Sequence, residues 1–568
     1  MTARPKSLLL AAGLLLTGCH RPNTPPANAS AQSPVQLAQA ANQAFLSQKT
    51  FDPWVLKSSG SHTSIPLYSS TGKYGWLSLG NGAVSQLMQA GDYHNGQLEE
   101  QNVASPPSDL GAIQQTLNIY QGAITTERRD EFKRLNPVGM RKPLKWPHLW
   151  QTSDVVIDGD AEAQQVTHAN LFYLLSSTYP GSTWSIPPMG LSSNAYGGHI
   201  FWDADVWMLP ALIVQHPDYA KPIVDYRFKL LAQAKKNARA HGSAGAEFPW
   251  ESADTGREEA PPEFAKERHI TADVAFAAWQ YYLWTGDAAY LKREGWPLLQ
   301  ATAQYWTSRV TKGTDGKWHI KGVLSPDETA GPVDDDAYTN AVVRYNLQAA
   351  ARAARLVGQA ADPRWPAIAH VLFIPYDKAR AIPAENGKPL TDRFAAKQAD
   401  TLLLLHPLNA TYDVATQRKM LDFYAAHTIK EGPAMTSSIE AVVAARLGLA
   451  QSSLDAFRDS YRPFERAPWD AFSEKRTTNN VYFLTGMAGC LQSILYGFAG
   501  LRVSEAGETP QGTRLAGDGV AALYADPHLP PGWGRLTIKG IRFRGKTLDL
   551  TIAPDNKLTI NPAPPELG

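Results

Sequence analysis

The chain has 568 residues, with 54 Lys and Arg against 53 Asp and Glu and a formal net charge of +1. That balance gives no electrostatic reason to expect a nucleic-acid partner. The length exceeds one simple core and sets a prior of about three or four domains, unless a helical toroid holds several hundred residues in one.

At the start, Arg4 and Lys6 form a short basic region and Leu8 to Leu16 an apolar core too short to span a membrane. Leu16-Thr17-Gly18-Cys19 is a small-residue cleavage site ending in Cys. Residues 1–18 therefore resemble a bacterial lipoprotein signal. Cys19 is then the lipidated first residue of a chain anchored in the bacterial cell envelope, on the periplasmic side or the cell surface. An uncleaved export signal is the alternative. Residues 19–45 include RPNTPPANASAQSP and read as a flexible tether without the capacity for a core. No later segment is apolar for long enough to span. The other cysteine, Cys490, lies in an apolar helical run and is expected to be a buried free thiol.

Residues 46–158 read as β-rich. YGWLSLG and TLNIYQGAITTER alternate apolar and polar residues at strand period, with turn signals at Gly80-Asn81-Gly82 and Asn95-Gly96. From 159 to 500 the period becomes helical. AQQVTHANLFYLLSS, WDADVWMLPALIVQ, DYRFKLLAQAKKNARAHG, ITADVAFAAWQYYLW, AVVRYNLQAAARAARLVG and SIEAVVAARLGLA space apolar residues three and four apart. About twelve such segments fit, a number that suits an (α/α)6 toroid. Residues 501–568 return to strand period in LPPGWGRLTIKGIRFRGKTLDLTI, joined at Gly540 and Gly545-Lys546, and carry no candidate catalytic residue.

Within the helical region acids stand beside aromatics in GGHIFWDADVWML, FPWESADTGREE, VLSPDETAGPVDDD, KQAD and FSE. A sugar ring uses both kinds. Its C–H face lies on an indole, and its hydroxyls pair with carboxylates, amides and ammonium groups. Cleaving a glycosidic bond needs two further carboxyls, one protonated and one ionised.

GHIFWDADVWMLP, FPWES, the SPDE loop and KQADTLLLL resemble motifs of glycoside hydrolase family 65, a family of acid trehalases, disaccharide phosphorylases and glucosylgalactosyl-hydroxylysine glucosidase. Asp205 departs from the pattern by standing where the first motif usually has Glu. The resemblance implies a mainly α fold with an N-terminal β-sandwich and a small C-terminal β-domain. It makes Glu328 of the SPDE loop the general acid and implies inversion. FSEKRTTNNVYFLTGMAGCLQ resembles the hydrolase form of the family, in which Glu474 is the base that activates water. Trp202, Asp203, Lys397 and Gln398 resemble the residues that hold the non-reducing glucose, and Trp250 and Glu251 belong to the same constellation. Thr436, Ser437 and Ser438 resemble a phosphorylase Ser-Ser segment, so an inverting disaccharide phosphorylase stays open. FPWES, FSE and FLTGMAGCLQ resemble the glucosylgalactosyl-hydroxylysine glucosidase branch. An α-1,2-linked glucoside is therefore the first-choice substrate, ahead of trehalose and nigerose.

Glu328 is expected in an apolar, aromatic wall that keeps it protonated, and Glu474 in a wetter setting, with the carboxyls about 6.5–9.5 Å apart. Each assignment has a plainer rival. Asp203 and Asp205 also read as helix N-terminal acids, Trp207 as a core residue, and His269 as a packing or capping residue. Asp334, Asp335 and Asp336 read as a solvated cluster. Glu440, inside an apolar helical run, needs the pocket or a base such as Arg446. A sugar-binding lipoprotein without chemistry and a toroid acting on uronic acids are the readings from other classes. No metal-ligand spacing or cofactor motif stands out.

Overall fold

A computed structural model describes strands between residues 55 and 137, the turn at Ile119 and Tyr120, and residues 146–562 apart from 191–194, 467–469, 479–481 and 509. The signal, the tether with Cys19 and the turn at 95–96 lie outside the described residues.

Two antiparallel sheets come first. Val55–Gly60, Ile113–Asn118, Ala123–Arg128 and Phe132–Pro137 are ordered as written in one, and His62–Ile65, Gly75–Gly80 and Leu87–Gln89 in the other. At the other end Leu501–Glu505, Ala521–Ala525 and Thr513–Gly517 form a three-stranded sheet. A four-stranded sheet runs Leu558–Pro562, Lys546–Ile552, Arg535–Phe543 and Val155–Asp158. Its last member precedes the helical region by sequence, yet pairs Ile157 with Leu536 and Val155 with Ile538. The C-terminal strands are thereby tied to the entrance of the first long helix.

The helices sort by how much of their circumference is apolar. Ile270–Thr285 buries every residue except Gln280 and Thr285, and Thr436–Arg446 and Leu484–Gln492 are similarly enclosed. Helices apolar all round belong inside, whereas Leu231–Ala240 buries only Leu231, Ala234 and Ala238, the stripe of a surface helix. The inner elements pack in a cycle. Asp203–Met208, continued by Leu209–Ile213, contacts Ile270–Thr285, which contacts Ala337–Leu356. Next come the short turn Thr401–Leu404, then Thr436–Arg446, then Leu484–Gln492, which returns to Asp203–Met208.

Two segments depart from their expected helices. DYRFKLLAQAKKNARAHG divides at Leu230 into Pro217–Lys229 and Leu231–Ala240, a break that no Gly or Pro marks; Leu230 and Leu231 are buried on either side of it. WDADVWMLPALIVQ opens as a wide π-turn over Asp203–Met208. Pro210 has no N–H to offer Val206 four residues back. Gln492 fills that gap, its Nε2 donating to the Val206 and Trp207 carbonyls at 3.2 and 2.7 Å. Cys490 is a buried free thiol, as its apolar surroundings led us to expect.

Candidate active site

The N-terminal ends of the inner elements gather the chemistry. Asp203 opens the first, His269 immediately precedes Ile270–Thr285, and Glu328 lies in the loop before Ala337–Leu356. Lys397 and Gln398 precede Thr401–Leu404, Met435 precedes Thr436–Arg446, and Glu474 precedes Leu484–Gln492. Of the cavity carboxylates, Asp203 lies in the first turn of one of these elements, where partial positive charge favours it. Around them lies a cavity of about 440 Å³, lined among others by Trp202, Asp203, Trp250, Glu251, Glu328, Lys397, Gln398 and Glu474. All eight sugar-site residues expected from sequence therefore face one space, of a size that suits a small-molecule ligand.

Glu328 begins a single 3-10 turn, Glu328–Ala330, capped by Asp327, whose Oδ1 accepts from Thr329 Oγ1 at 2.6 Å. The same oxygen accepts from the Lys397 backbone N–H at 2.8 Å, and Lys397 Nζ donates to Glu328 Oε2 at 2.6 Å. Asp327 thus holds the acid and its lysine partner in register. Gly432 lets a further strand of chain approach, since a Cβ there would lie 2.0 Å from the Lys397 carbonyl oxygen.

Behind this loop stand Asp327, Asp336, Glu385 and Asp400, all buried. Four carboxyls this close cannot all be ionised. Burial, then the neighbouring Asp327 and Asp336, pushes Glu385 up to about 9; burial pushes Asp336 up to about 6 and Asp400 well above the usual carboxylate range. The expected solvated cluster at 334–336 is corrected here. Only Asp334 faces water, whereas Asp336 caps Ala337–Leu356 through a 2.6 Å bond from the Thr339 N–H, and Asp335 Oδ1 accepts from Asn340.

Glu474 is only 7% exposed. Its backbone carbonyl accepts from the Ala434 N–H at 2.9 Å, and Tyr196 lines the same cavity. The expected environments are therefore reversed. An ammonium group, not an apolar wall, meets the Glu328 carboxylate, and the residue expected in the wetter setting is the more buried. Burial is a property of the assembled ring, and no local pattern announces it.

Asp203 is buried and accepts from Thr485 Oγ1 at 2.5 Å; its burial pushes the carboxyl up to about 7, with the charges of Glu474 and Glu328 adding to the rise. Two residues on, Asp205 turns away from the cavity. It is fully buried against Arg227, whose Nη2 donates to Oδ2 at 2.5 Å and to the Phe201 carbonyl at 2.8 Å. The departure from the family motif falls on a core ion pair, and Asp205 does lie in the first turn of its element, as the plainer reading of a helix N-terminal acid expected. Trp207 is likewise core, edge-on to Trp202. His269 is a packing residue under the floor. Its ring lies 4.9 Å from Trp202 and 5.3 Å from Trp250, and its Nδ1 bonds Asp273 Oδ2 at 2.7 Å. Glu251 bonds His199 at 2.7 Å, and the Glu258 carboxylate accepts from the backbone N–H groups of Trp250 and Glu251.

The hydroxyls of the Thr-Ser-Ser run are used locally. Thr436 Oγ1 accepts from the Ala399 N–H, Ser437 Oγ donates to Asp459, and Ser438 Oγ donates to the Met435 carbonyl. Glu440 does not pair with Arg446, which instead donates to the carbonyls of Tyr496 and Leu405 and to Asn409. Burial, with Asp459 nearby, pushes the Glu440 carboxyl up to about 7.

Sequence reasoning missed Tyr196, Lys475 and the apolar lining of Phe201, Phe264, Met435 and Phe483. For Tyr196 the available signal was the Gly197-Gly198 pair that follows it, marking backbone in an unusual conformation.

Residues 168–392 and 367–492 match the glycosyl hydrolase family 65 central catalytic domain, and 521–561 match the family's C-terminal domain. A kojibiose hydrolase of Mucilaginibacter mallensis is 41% identical over 409 residues, covering 71% of this chain and 57% of that protein. The protein-glucosylgalactosylhydroxylysine glucosidase of Gallus gallus is 34% identical over 429 residues, covering 72% and 58%. The match thus takes in little more than half the length of these relatives. A solved structure described as a putative kojibiose phosphorylase from human microbiome is similar in fold, with a TM-score of 0.60 at 18% identity over 83% of this chain and 77% of that one.

Proposed function

The chain belongs to glycosyl hydrolase family 65, and on that premise we propose that it is an inverting α-glucoside hydrolase releasing β-glucose. Glu328 is the general acid and Glu474 the general base. The observation that carries this reading is the entry of both carboxyls into one cavity, with Trp202, Asp203, Lys397 and Gln398 beside them. The glucose ring lies on the indoles, and the Lys397 ammonium and Gln398 amide take its hydroxyls. When the substrate draws Lys397 Nζ onto a hydroxyl, Glu328 loses its cation, takes up a proton from solvent and gives it to the leaving oxygen. Glu474 removes a proton from the water that attacks the opposite face.

Water is favoured over phosphate as the nucleophile because a carboxylate occupies the attacking side, where it repels an anion. The Thr436, Ser437 and Ser438 hydroxyls are already committed elsewhere. The names of the relatives support an α-1,2-linked glucoside, such as kojibiose or a glucosylgalactose, as the substrate. The cyclic packing of inner helices supports an (α/α)6 toroid, and the two early sheets support a β-sandwich. Cys19 remains the proposed lipid anchor to the envelope.

The test is glucose release from kojibiose, trehalose, nigerose, maltose and glucosyl-α-1,2-galactose, with and without phosphate. Release that needs no phosphate and collapses in Glu474→Gln is expected. Release that requires phosphate makes the protein a phosphorylase and removes Glu474 as base.

A further inference from the structure

Glu474 stands between two pieces of chain that are tied to the same short segment. On the way in, Glu465–Arg466 pairs with Ala471–Phe472, setting Glu465 opposite Phe472 and Arg466 opposite Ala471. The Ser473 N–H then donates to the Phe464 carbonyl at 2.8 Å. On the way out, residues 474–478 form neither helix nor strand. Carbonyls in such a bend have no ladder to join, so a donor must come from elsewhere. Arg466 supplies it. Its Nη2 donates to the carbonyls of Lys475 at 2.9 Å, Arg476 at 3.0 Å and Thr478 at 2.6 Å. Its Nε donates to the Thr478 carbonyl at 3.0 Å, and its Nη1 turns back to the carbonyls of Pro463 and Glu465 at 3.0 and 2.9 Å. One planar guanidinium therefore fastens the exit of the bend to the strand that pairs with its entrance. Arg476 adds a second tie, its Nη1 and Nη2 donating to the two carboxylate oxygens of Asp459 at 2.9 and 2.5 Å.

We infer that Arg466 is the positioning residue of the base: by fixing the carbonyls of Lys475, Arg476 and Thr478 it holds the bend in one conformation and so sets where the Glu474 carboxylate enters the cavity. The inference rests on Glu474 acting as the base. A bend held by its own backbone is aimed before the substrate arrives, and a misplacement of about 1 Å slows such chemistry roughly 100-fold. The residues proposed to hold the glucose ring stand on other elements. Trp202 and Asp203 lie at the start of Asp203–Met208, and Lys397 and Gln398 lie ahead of Thr401–Leu404. Loss of Arg466 thus misdirects the base and leaves the sugar floor in place. Lysine is no substitute, because its three N–H groups radiate from one nitrogen and cannot span the carbonyls that a guanidinium fork reaches.

Wild type, Arg466→Met, Arg466→Lys, Glu474→Gln and the double variant with Arg466→Met and Glu474→Gln are compared as full chains on kojibiose, with inhibition by glucose as the measure of an intact sugar site. The expected result for Arg466→Met is a roughly 10- to 100-fold fall in kcat with KM and glucose inhibition nearly unchanged. Arg466→Lys recovers only part of that loss. In the Glu474→Gln background the Arg466→Met change has little further effect on the residual rate, since no base is left to aim, whereas purely structural damage multiplies there in full. If Glu474→Gln is inactive while Arg466→Met keeps wild-type kcat, the positioning role is overturned and the base assignment stands. If the two losses multiply, or if both Arg466 variants lose glucose inhibition together with turnover, Arg466 serves the fold alone and the proposal is overturned. If Glu474→Gln retains activity, the failure lies in the base assignment instead.

Discussion

Glu328 and Glu474 reach one cavity from opposite kinds of support. Glu328 sits on a single turn, partly open to solvent, paired with Lys397 and backed by buried carboxyls that hold protons. Glu474 is buried and fixed through its backbone to Ala434. In the proposed reaction an acid must accept and release a proton as the substrate arrives, and a partner that can leave, such as a lysine, allows this. A base must stay aimed, and a backbone bond to a neighbouring loop that never leaves serves that. The difference between the loops is thus a difference between an exchangeable partner and a fixed one.

The sharpest way to break the comparison is to vary the leaving group. Glu328→Gln is expected to lose about 10²- to 10⁴-fold in kcat on a disaccharide and to recover much of it on a substrate whose leaving group needs no proton. Glu474→Gln should be equally impaired on both. Equal recovery in the two variants, read by steady-state kinetics, would erase the distinction.

Next in size is the exchangeable partner itself. Lys397→Met removes a charge-assisted bond and is expected to lower kcat/KM by about 10- to 100-fold. The pH–rate profile should also change on its basic side, because Glu328 no longer faces an ammonium. An unchanged profile would place Lys397 in substrate binding alone.

Much of this arrangement was legible in the sequence. The helical period of segments such as Ile270–Thr285 was legible, although its three- and four-residue spacing read as one apolar face where nearly every side is buried, and acid and aromatic motifs were legible beside such segments. What was illegible depended on distant chain. The pairing of Val155–Asp158 with Arg535–Ile538 has no local signal. Asp336 reads as surface charge until Glu385 and Asp400 close over it. The reversal at Glu328 and Glu474 has the same origin, since burial and ion pairing are decided by which loops meet.

Protonation behind the acid loop gives a stability prediction. Glu385, raised to about 9, keeps a proton in the folded protein that the unfolded chain has released. Stability from this group is complete below the ordinary Glu range and is lost as pH rises toward about 9, by up to about 1.4 kcal/mol per pH unit for one proton. Asp203, raised to about 7, acts in the same direction. The midpoint of chemical unfolding should therefore fall between pH 5 and 9, and fall less steeply in Glu385→Gln. A midpoint that rises over this window would contradict the buried, protonated cluster.

The smallest effect is expected at Ser437. Ser437→Ala removes its bond to Asp459, costs about 1 kcal/mol of stability and leaves turnover and phosphate independence unchanged. A large loss of activity restored by phosphate would reopen that segment as a nucleophile site.

The most direct test of the whole account is proton NMR of the first sugar formed from kojibiose in phosphate-free buffer, read before mutarotation. The account predicts β-glucose. Initial α-glucose, or no glucose until phosphate is added and then β-glucose 1-phosphate, would contradict it.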